Sequence, residues 1–400
     1  MSENEGDRPP SLMFIGLLPP PVDGQRLATA RMRALFEDTF QLRACDIGPR
    51  NPTSPISIAS RVHRTAAATL SLLTARVRGC RRLYLAPYSG NGLWLAAFLL
   101  GWGRLLGYRI AVHPHSYLAI DNRMAAMAAF TRVGGDRALY ICLGASMASA
   151  LRRRYSAVKR THVLGNALMV PNASVPRQRR TAGVRPLRLG HLGNLSREKG
   201  LDTVLLTARV LADAGLPFVL ELVGPASDTE TETIAAAVAA HPDHVRRLGP
   251  LHASAKDAWY RSLDLFLLPT RHAHEASPLV LWEAMRAGVV PVATARGCIP
   301  EDVGDAGVLV ADPRPQAFAI AVRDTLEAFR DGREDLDEAS ERAYARFRQS
   351  YRAAAAAFTD LIEEMVGRNG GGGLAEASPP PPAIRTTTTS SEGGLCGRER

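Results

Sequence analysis

Lysine is nearly missing from this chain: of its 49 basic side chains only Lys159, Lys199 and Lys256 are lysines, and the rest are arginines. Aromatic residues are scarce at 6%, and no groove-reading motif accompanies the basic residues. That combination counts against the stacked, basic platforms of nucleic-acid binders, so no nucleic-acid partner is expected. The five cysteines, Cys45, Cys80, Cys142, Cys298 and Cys396, are odd in number and scattered. None forms a C-x-x-C pair, which excludes a disulfide framework and a zinc ribbon. Long apolar runs are missing too. The most apolar stretch, residues 92–112, is broken by Arg104, Arg109 and four glycines. It is too short to cross a bilayer and reads as a buried helix followed by a strand. The opening MSENEGDRPP is polar and acidic, unlike a secretory signal, so the expected compartment is the cytoplasm.

The chain has what a large core needs. Of 400 residues, 46% are apolar and 22% charged, enough for two or three domains. The net charge of +10 is unevenly spread. Residues 1–180 carry 25 Lys and Arg against 9 Asp and Glu, and residues 181–400 carry 24 against 30. A basic N-terminal half implies a face that meets an anionic partner.

Punctuation along the chain predicts repeated α/β units. Apolar residues 12–18 stop at a Pro/Gly loop, Pro19 to Gly24, and helical spacing follows over 27–36. Strands are expected at 82–87, 109–113 and 139–143, with helices from Leu93 and from about Ser146. A polar, proline-dotted stretch, 171–186, reads as the interdomain linker. A second series follows, with strands at 187–192, 218–224, 263–269, 289–293 and 308–310, and helices at 201–214 and 278–286. Continuous apolar strands alternating with helices imply parallel sheets covered on both faces. The expected divisions are a flexible 1–10, an N-terminal domain 11–175, a linker 176–186, a C-terminal domain 187–338, a helix 339–366 and a disordered tail 367–400. Ligands of such sheets bind at the carboxyl ends of the strands.

Two strings stand at such ends. In Glu275 to Gly288 two carboxylates, Glu275 and Glu283, are eight residues apart. That gap is close to two helical turns, so both can lie on one side. Pro278 suits a first helical position and Ser277 an N-cap. The free N–H groups of Leu279 and Val280 would then face an anion such as phosphate. The second string is Gly193-Asn194-Leu195-Ser196-Arg197-Glu198-Lys199-Gly200, between a strand and a helix. Arg197 and Lys199 there offer charge to a diphosphate.

These strings, with Leu-Val-Gly at 222–224, Leu-Leu-Pro-Thr at 267–270 and Val-Ala-Thr-Ala-Arg-Gly at 292–297, resemble the nucleotide-sugar domain of retaining family 4 glycosyltransferases. The resemblance is firm over 187–340 and looser over 11–175. It implies the GT-B architecture, two Rossmann-like domains facing a cleft, the first of them binding the acceptor. It implies that Glu275 contacts the donor sugar near the reacting carbon, that Glu283 holds the nucleotide ribose and that Lys199 binds the diphosphate. Asn194 stands where the family often has arginine, and Arg197 is the substitute source of that charge. Gly24 resembles the glycine brought close to the donor phosphates, and the His113-Pro114-His115 segment the one whose histidine lies beside the donor sugar. His115 is favoured over His113, which can still belong to the strand. Asn166 resembles an asparagine before the linker and reads as structural.

The implied reaction is hexosyl transfer from a nucleotide diphosphate sugar, UDP-sugar favoured over GDP-sugar, to a hydroxyl of a glycan or lipid-linked acceptor in cell-surface polysaccharide or glycolipid synthesis. The anomeric configuration is retained. No cofactor and no metal are implied, in contrast to glycosyltransferases that hold a metal on Asp-x-Asp, a string not expected in this chain. The H-x-H pairs His113/His115 and His272/His274 lack the converging ligands that zinc or iron needs. The basic half adds an anionic acceptor or an anionic membrane surface, making the enzyme peripheral at the inner face. Two alternatives are a GT-B-like nucleotide-sugar enzyme of epimerase type and a basic nucleic-acid-binding protein. A phosphorylase is disfavoured because the chain lacks a long C-terminal domain carrying a pyridoxal-phosphate lysine.

Overall fold

The computed structural model describes residues 9–49, 57–172 and 185–367. Most of the expected flexible lead-in, most of the linker and nearly all of the C-terminal tail, with Cys396, lie outside the described residues.

The first domain is a parallel sheet of β1 (Ser11–Gly16), β2 (Gln41–Asp46), β3 (Arg82–Leu85), β4 (Arg109–Val112), β5 (Ala138–Cys142) and β6 (Arg160–Val163). Their spatial order is β2-β1-β3-β4-β5-β6. Six helices connect them: α1 (Gly24–Glu37), α2 (Ser57–Val77), α3 (Leu93–Leu105), α4 (Leu118–Asp121), α5 (Ala125–Gly134) and α6 (Ala145–Arg154). The middle strands are apolar on both faces because helices cover both faces. Leu12, Met13, Phe14 and Ile15 are all fully buried.

The second domain repeats the plan with β7 (Leu187–Leu192), β8 (Phe218–Val223), β9 (Val245–Gly249), β10 (Leu265–Leu268), β11 (Val290–Thr294) and β12 (Val308–Val310). Their order is β12-β11-β10-β7-β8-β9, again all parallel. Its helices are α7 (Leu201–Asp213), α8 (Asp228–Ala240), α9 (Ala253–Ser262), α10 (Leu279–Arg286), α11 (Ile299–Val303) and α12 (Pro315–Arg330).

The closing helix α13 (Leu336–Val366) starts ahead of the expected residue 339. Asp335 caps it, accepting from the Asp337 and Glu338 N–H groups at 2.7 and 2.9 Å. The helix then leaves its own domain for the first. Ser340 hydroxyl donates to the Gly288 carbonyl at 2.5 Å, while further on Phe358 meets Phe36 and Arg82 Nε donates to the Met365 carbonyl. Sequence periodicity gave the helix but not this return, which depends on where the two sheets sit.

In each sheet the strand order reverses beside the first strand, between β1 and β3 and between β7 and β10. A crevice opens at the carboxyl end of such a switch point. The loops after β1, β3, β7 and β10 are therefore the ones that line the cleft between the domains.

Candidate active site

The cleft has a volume of about 910 Å³. Its first wall is built from the start of α1 and the loop after β4. Gly24 opens α1, where the Asp23 carboxylate caps the helix by accepting from the Arg26 N–H at 2.8 Å. Gly24 and His115 both line the cleft. His113 lies behind, fully buried, with Nδ1 2.7 Å from the Tyr84 hydroxyl. The two rings are tilted at 4.1 Å. The structure thus separates the two histidines: His115 faces the cleft, and His113, the first residue past β4, supports it from behind.

The second wall comes from the loops after β7 and β10 and from α10. Lys199 Nζ donates to Glu275 Oε2 at 2.6 Å, and the Thr270 hydroxyl donates to the same oxygen at 3.1 Å. This contact needs the two loops to touch. Gly200 sits at φ +88°, and a Cβ there would run into the Pro269 carbonyl, so only glycine fits. Similarly Gly297, at φ +56°, passes so close under Glu275 that a Cβ would sit 2.7 Å from its carbonyl oxygen.

Eight residues on, Glu283 has its own lysine. Lys256 Nζ donates to Oε1 at 2.6 Å and the Tyr260 hydroxyl to Oε2 at 3.1 Å. Glu275, Glu283, Lys199 and Lys256 all line the cleft, with Asn194, Pro278 and Leu279. Two of the three lysines of the chain therefore stand over the two carboxylates. Lys256 was missed in the sequence because it belongs to no motif; its rarity was the only signal. His191 was missed as well. It is buried in β7, its Nδ1 lies 2.9 Å from the Leu267 carbonyl, and its ring reaches the cleft. Burial lowers its pKa to about 4, with the Leu267 carbonyl opposing and Lys199 adding to the fall. Burial likewise takes His115 down to about 4. Both rings are neutral at pH 7.

Three expectations need correction. Arg197 does not join the cleft: its side chain is 87% exposed and leans on Asp202 at 3.7 Å. The turn of 196–200 that delivers Lys199 inward points Arg197 outward. Ser277 does not cap α10. The helix begins at Leu279 with extended Pro278 in the cap position and no side-chain cap. The Ser277 hydroxyl instead accepts from Trp282 Nε1 at 3.1 Å. The first turn still faces the cleft, which Leu279 and Val280 line. The chain also does contain an Asp-x-Asp string, Asp335-Leu336-Asp337, but it caps α13 and lies off the cleft. Asn166 donates from Nδ2 to the Ser277 carbonyl at 2.6 Å and so holds the start of α10. Among the described residues no three His, Cys, Asp or Glu side chains converge as metal ligands.

Two facing parallel α/β domains with a cleft at their carboxyl ends form the GT-B glycosyltransferase architecture. Solved structures agree over nearly the whole chain. Sucrose-phosphate synthase from Thermosynechococcus elongatus superposes with TM-score 0.66 at 16% identity, covering 90% of this chain and all of that one. Anabaena HepE in complex with UDP gives 0.63 at 16% identity over 89% of this chain and all of that one. At such identity these likenesses show the fold. Residues 186–328, most of the C-terminal domain, match the family model of glycosyl transferases group 1. Glycogen synthase of Thermus thermophilus is 30% identical over 192 residues, 47% of this chain and 41% of that protein. That of Anaeromyxobacter sp. is 30% identical over 182 residues, 42% and 38% of the two chains. This chain thus aligns with about two fifths of these relatives' length.

Proposed function

We propose that the chain is a retaining, metal-independent glycosyltransferase of family 4. It would move a hexosyl group from a nucleotide diphosphate sugar, UDP-sugar favoured over GDP-sugar, to a hydroxyl of a glycan or lipid-linked acceptor. The observation that carries this is the Lys199–Glu275 pair at 2.6 Å, set in a cleft whose other wall presents Gly24 and His115.

In this reading Lys199 turns from Glu275 to the donor diphosphate and the first N–H groups of α10 help to hold it. Positive groups fixed where leaving charge develops are the main source of rate in such transfers. Glu275, released, faces the sugar and stabilises the oxocarbenium-like state. The bond from the anomeric carbon to the leaving phosphate oxygen breaks as the acceptor oxygen approaches on the same face. The departing phosphate takes the acceptor proton. Glu283 holds the ribose, with Lys256 and Tyr260 fixing its carboxylate. His115, neutral, donates or accepts one hydrogen bond at the sugar. Both domains close over the donor and exclude water, which limits hydrolysis. UDP in the HepE structure supports a uridine donor, and the basic N-terminal half supports an anionic acceptor or membrane surface. The expected place of action is the cytoplasmic face of a membrane.

The test is thermal stabilisation by UDP, ADP and GDP and their sugars, with and without a chelator. A ligand at ~100 times its dissociation constant adds about 2.7 kcal/mol. The reading expects one nucleotide to stabilise the protein equally with chelator present, and Lys199→Ala to abolish the effect. No shift with any nucleotide would overturn it.

A further inference from the structure

Outside the cleft, the strongest unexplained feature is the outer face of α2 and α3. On α3, Trp94 and Phe98 are each 53% exposed and Leu105 is 76% exposed. Their spacing puts them on one stripe, and Trp102, half-buried, packs edge-on against Phe98. On α2, Val62, Leu70 and Val77 form a second exposed stripe. The two helices pack side by side, and α5 packs against α3. Six large apolar side chains standing out on adjacent helices are more than the scattered exposure ordinary for a soluble surface.

The charge around them is mainly basic, with the exposed Asp136 beside Arg104 of α3, at 4.0 Å, an acidic group next to it. Between Asp46 and Asp121 the sequence has no Asp or Glu and nine arginines. Arg78 at the end of α2, Arg123 just before α5 and Arg132 on α5 are exposed and form no ion pair among the described residues. Indole and phenyl rings flanked by arginines suit the boundary between lipid headgroups and acyl chains. A second copy would bring arginines against arginines.

We propose that the α2–α3 face docks on an anionic lipid bilayer, with Trp94, Phe98 and Leu105 entering the headgroup boundary and Arg78, Arg123 and Arg132 meeting lipid phosphates. This deepens the membrane-surface part of the function above and rests on it only there. The face adjoins the cleft: α3 begins just after Ser89, which lines it, so a lipid-borne acceptor would enter from the docked side. No described helix is long and apolar enough to cross a membrane.

The experiment is co-sedimentation of the full chain with vesicles of phosphatidylcholine, alone and mixed with phosphatidylglycerol. Tryptophan emission is followed in parallel. Trp259 and Trp282 are buried, so a blue shift on binding reports Trp94 and Trp102. Binding to the mixed vesicles is expected, weakening with salt. Arg78→Gln with Arg132→Gln should weaken it roughly 25-fold, about fivefold for each arginine. Trp94→Ser with Phe98→Ser should cost at least about tenfold and remove most of the blue shift. These positions are exposed, so the variants should keep the wild-type melting temperature and any nucleotide shift, which separates this proposal from the donor-site reading. Three results would overturn it: no binding to mixed vesicles, binding indifferent to both double variants, or a dimer in solution that Trp94→Ser dissociates.

Discussion

The Glu301 carboxylate of the second domain sits on the start of α6 in the first. It accepts from the Ala145 and Ser146 N–H groups at 2.8 and 3.0 Å and from the Ser146 hydroxyl at 2.7 Å. Burial alone would raise its pKa, but the Ser146 and Ala145 hydrogen bonds outweigh this and leave it lowered. Further contacts bridge the domains on this side: Arg296 to Asp121 at 3.0 Å, Ser116 to His274 at 3.0 Å and the Tyr117 N–H to the His274 carbonyl at 3.3 Å. The domains are thus held together where a closing motion would bring them.

Glu301→Gln should loosen that hold. It removes a negative charge from a helix N-terminus, worth about 1 kcal/mol. Because the folded-state pKa is lowered, the contribution is complete above the ordinary glutamate value and is lost as pH falls through the lowered one. The melting temperature of the variant should fall below wild type at pH 7 and converge with it in acid. Small-angle scattering of the variant at pH 7 should show a larger radius of gyration. An unchanged radius and melting point would mean that the latch contributes nothing.

Lys199→Ala and Glu275→Ala should each lower transfer at least ~100-fold, the scale of one preorganised group. They should differ in binding: Lys199→Ala loses nucleotide affinity, whereas Glu275→Ala keeps affinity for the nucleotide diphosphate and loses turnover. Calorimetric titration alongside initial rates separates the two. Equal loss of affinity in both would put Glu275 on the nucleotide and not on the sugar.

Gly200→Ala tests whether loop contact delivers Lys199. Forcing a side chain into a left-handed backbone costs about 1–2 kcal/mol, and here the Cβ also meets the Pro269 carbonyl. Destabilisation of at least about 2 kcal/mol by denaturant titration is expected, with nucleotide affinity reduced in the folded fraction. Gly24→Ala is the control: a Cβ there meets nothing within 4 Å, so stability should hold.

Much of this site could be read from sequence because its residues lie in short contiguous strings. Glu275 and Glu283 share one loop and helix, and Lys199 stands in the turn that opens α7. Spacing and loop position therefore brought them forward as candidates, and the family resemblance supplied their roles. Lys256 and His191 could not be found this way, because each reaches the cleft only through packing of β7, β10 and α9 that no local pattern encodes. Arg197 and Ser277 failed for a related reason. Residue type suited them to a role, but side-chain direction was set by a turn in one case and by Trp282 in the other. The inner strands were legible from continuous apolar runs, whereas the edge strands β2, β6 and β9, polar and partly exposed, carried no such run and were not read.

His191 gives the pH prediction. Its ring stays neutral in the folded protein down to about pH 4, whereas in the unfolded chain it takes up a proton near 6.5. The unfolded state binds the extra proton in that window, so stability falls as pH drops from about 6.5 towards 4, by up to about 1.4 kcal/mol per pH unit for this one group. His191→Gln removes the titration and should flatten the slope of unfolding free energy against pH between those limits. Because Lys199 adds to the depression, Lys199→Ala should raise the His191 pKa, visible as an imidazole resonance titrating at higher pH in NMR. A bound diphosphate facing Lys199 should act in the same direction. A slope unchanged in His191→Gln would place the acid sensitivity elsewhere, with His115 the next ring to test.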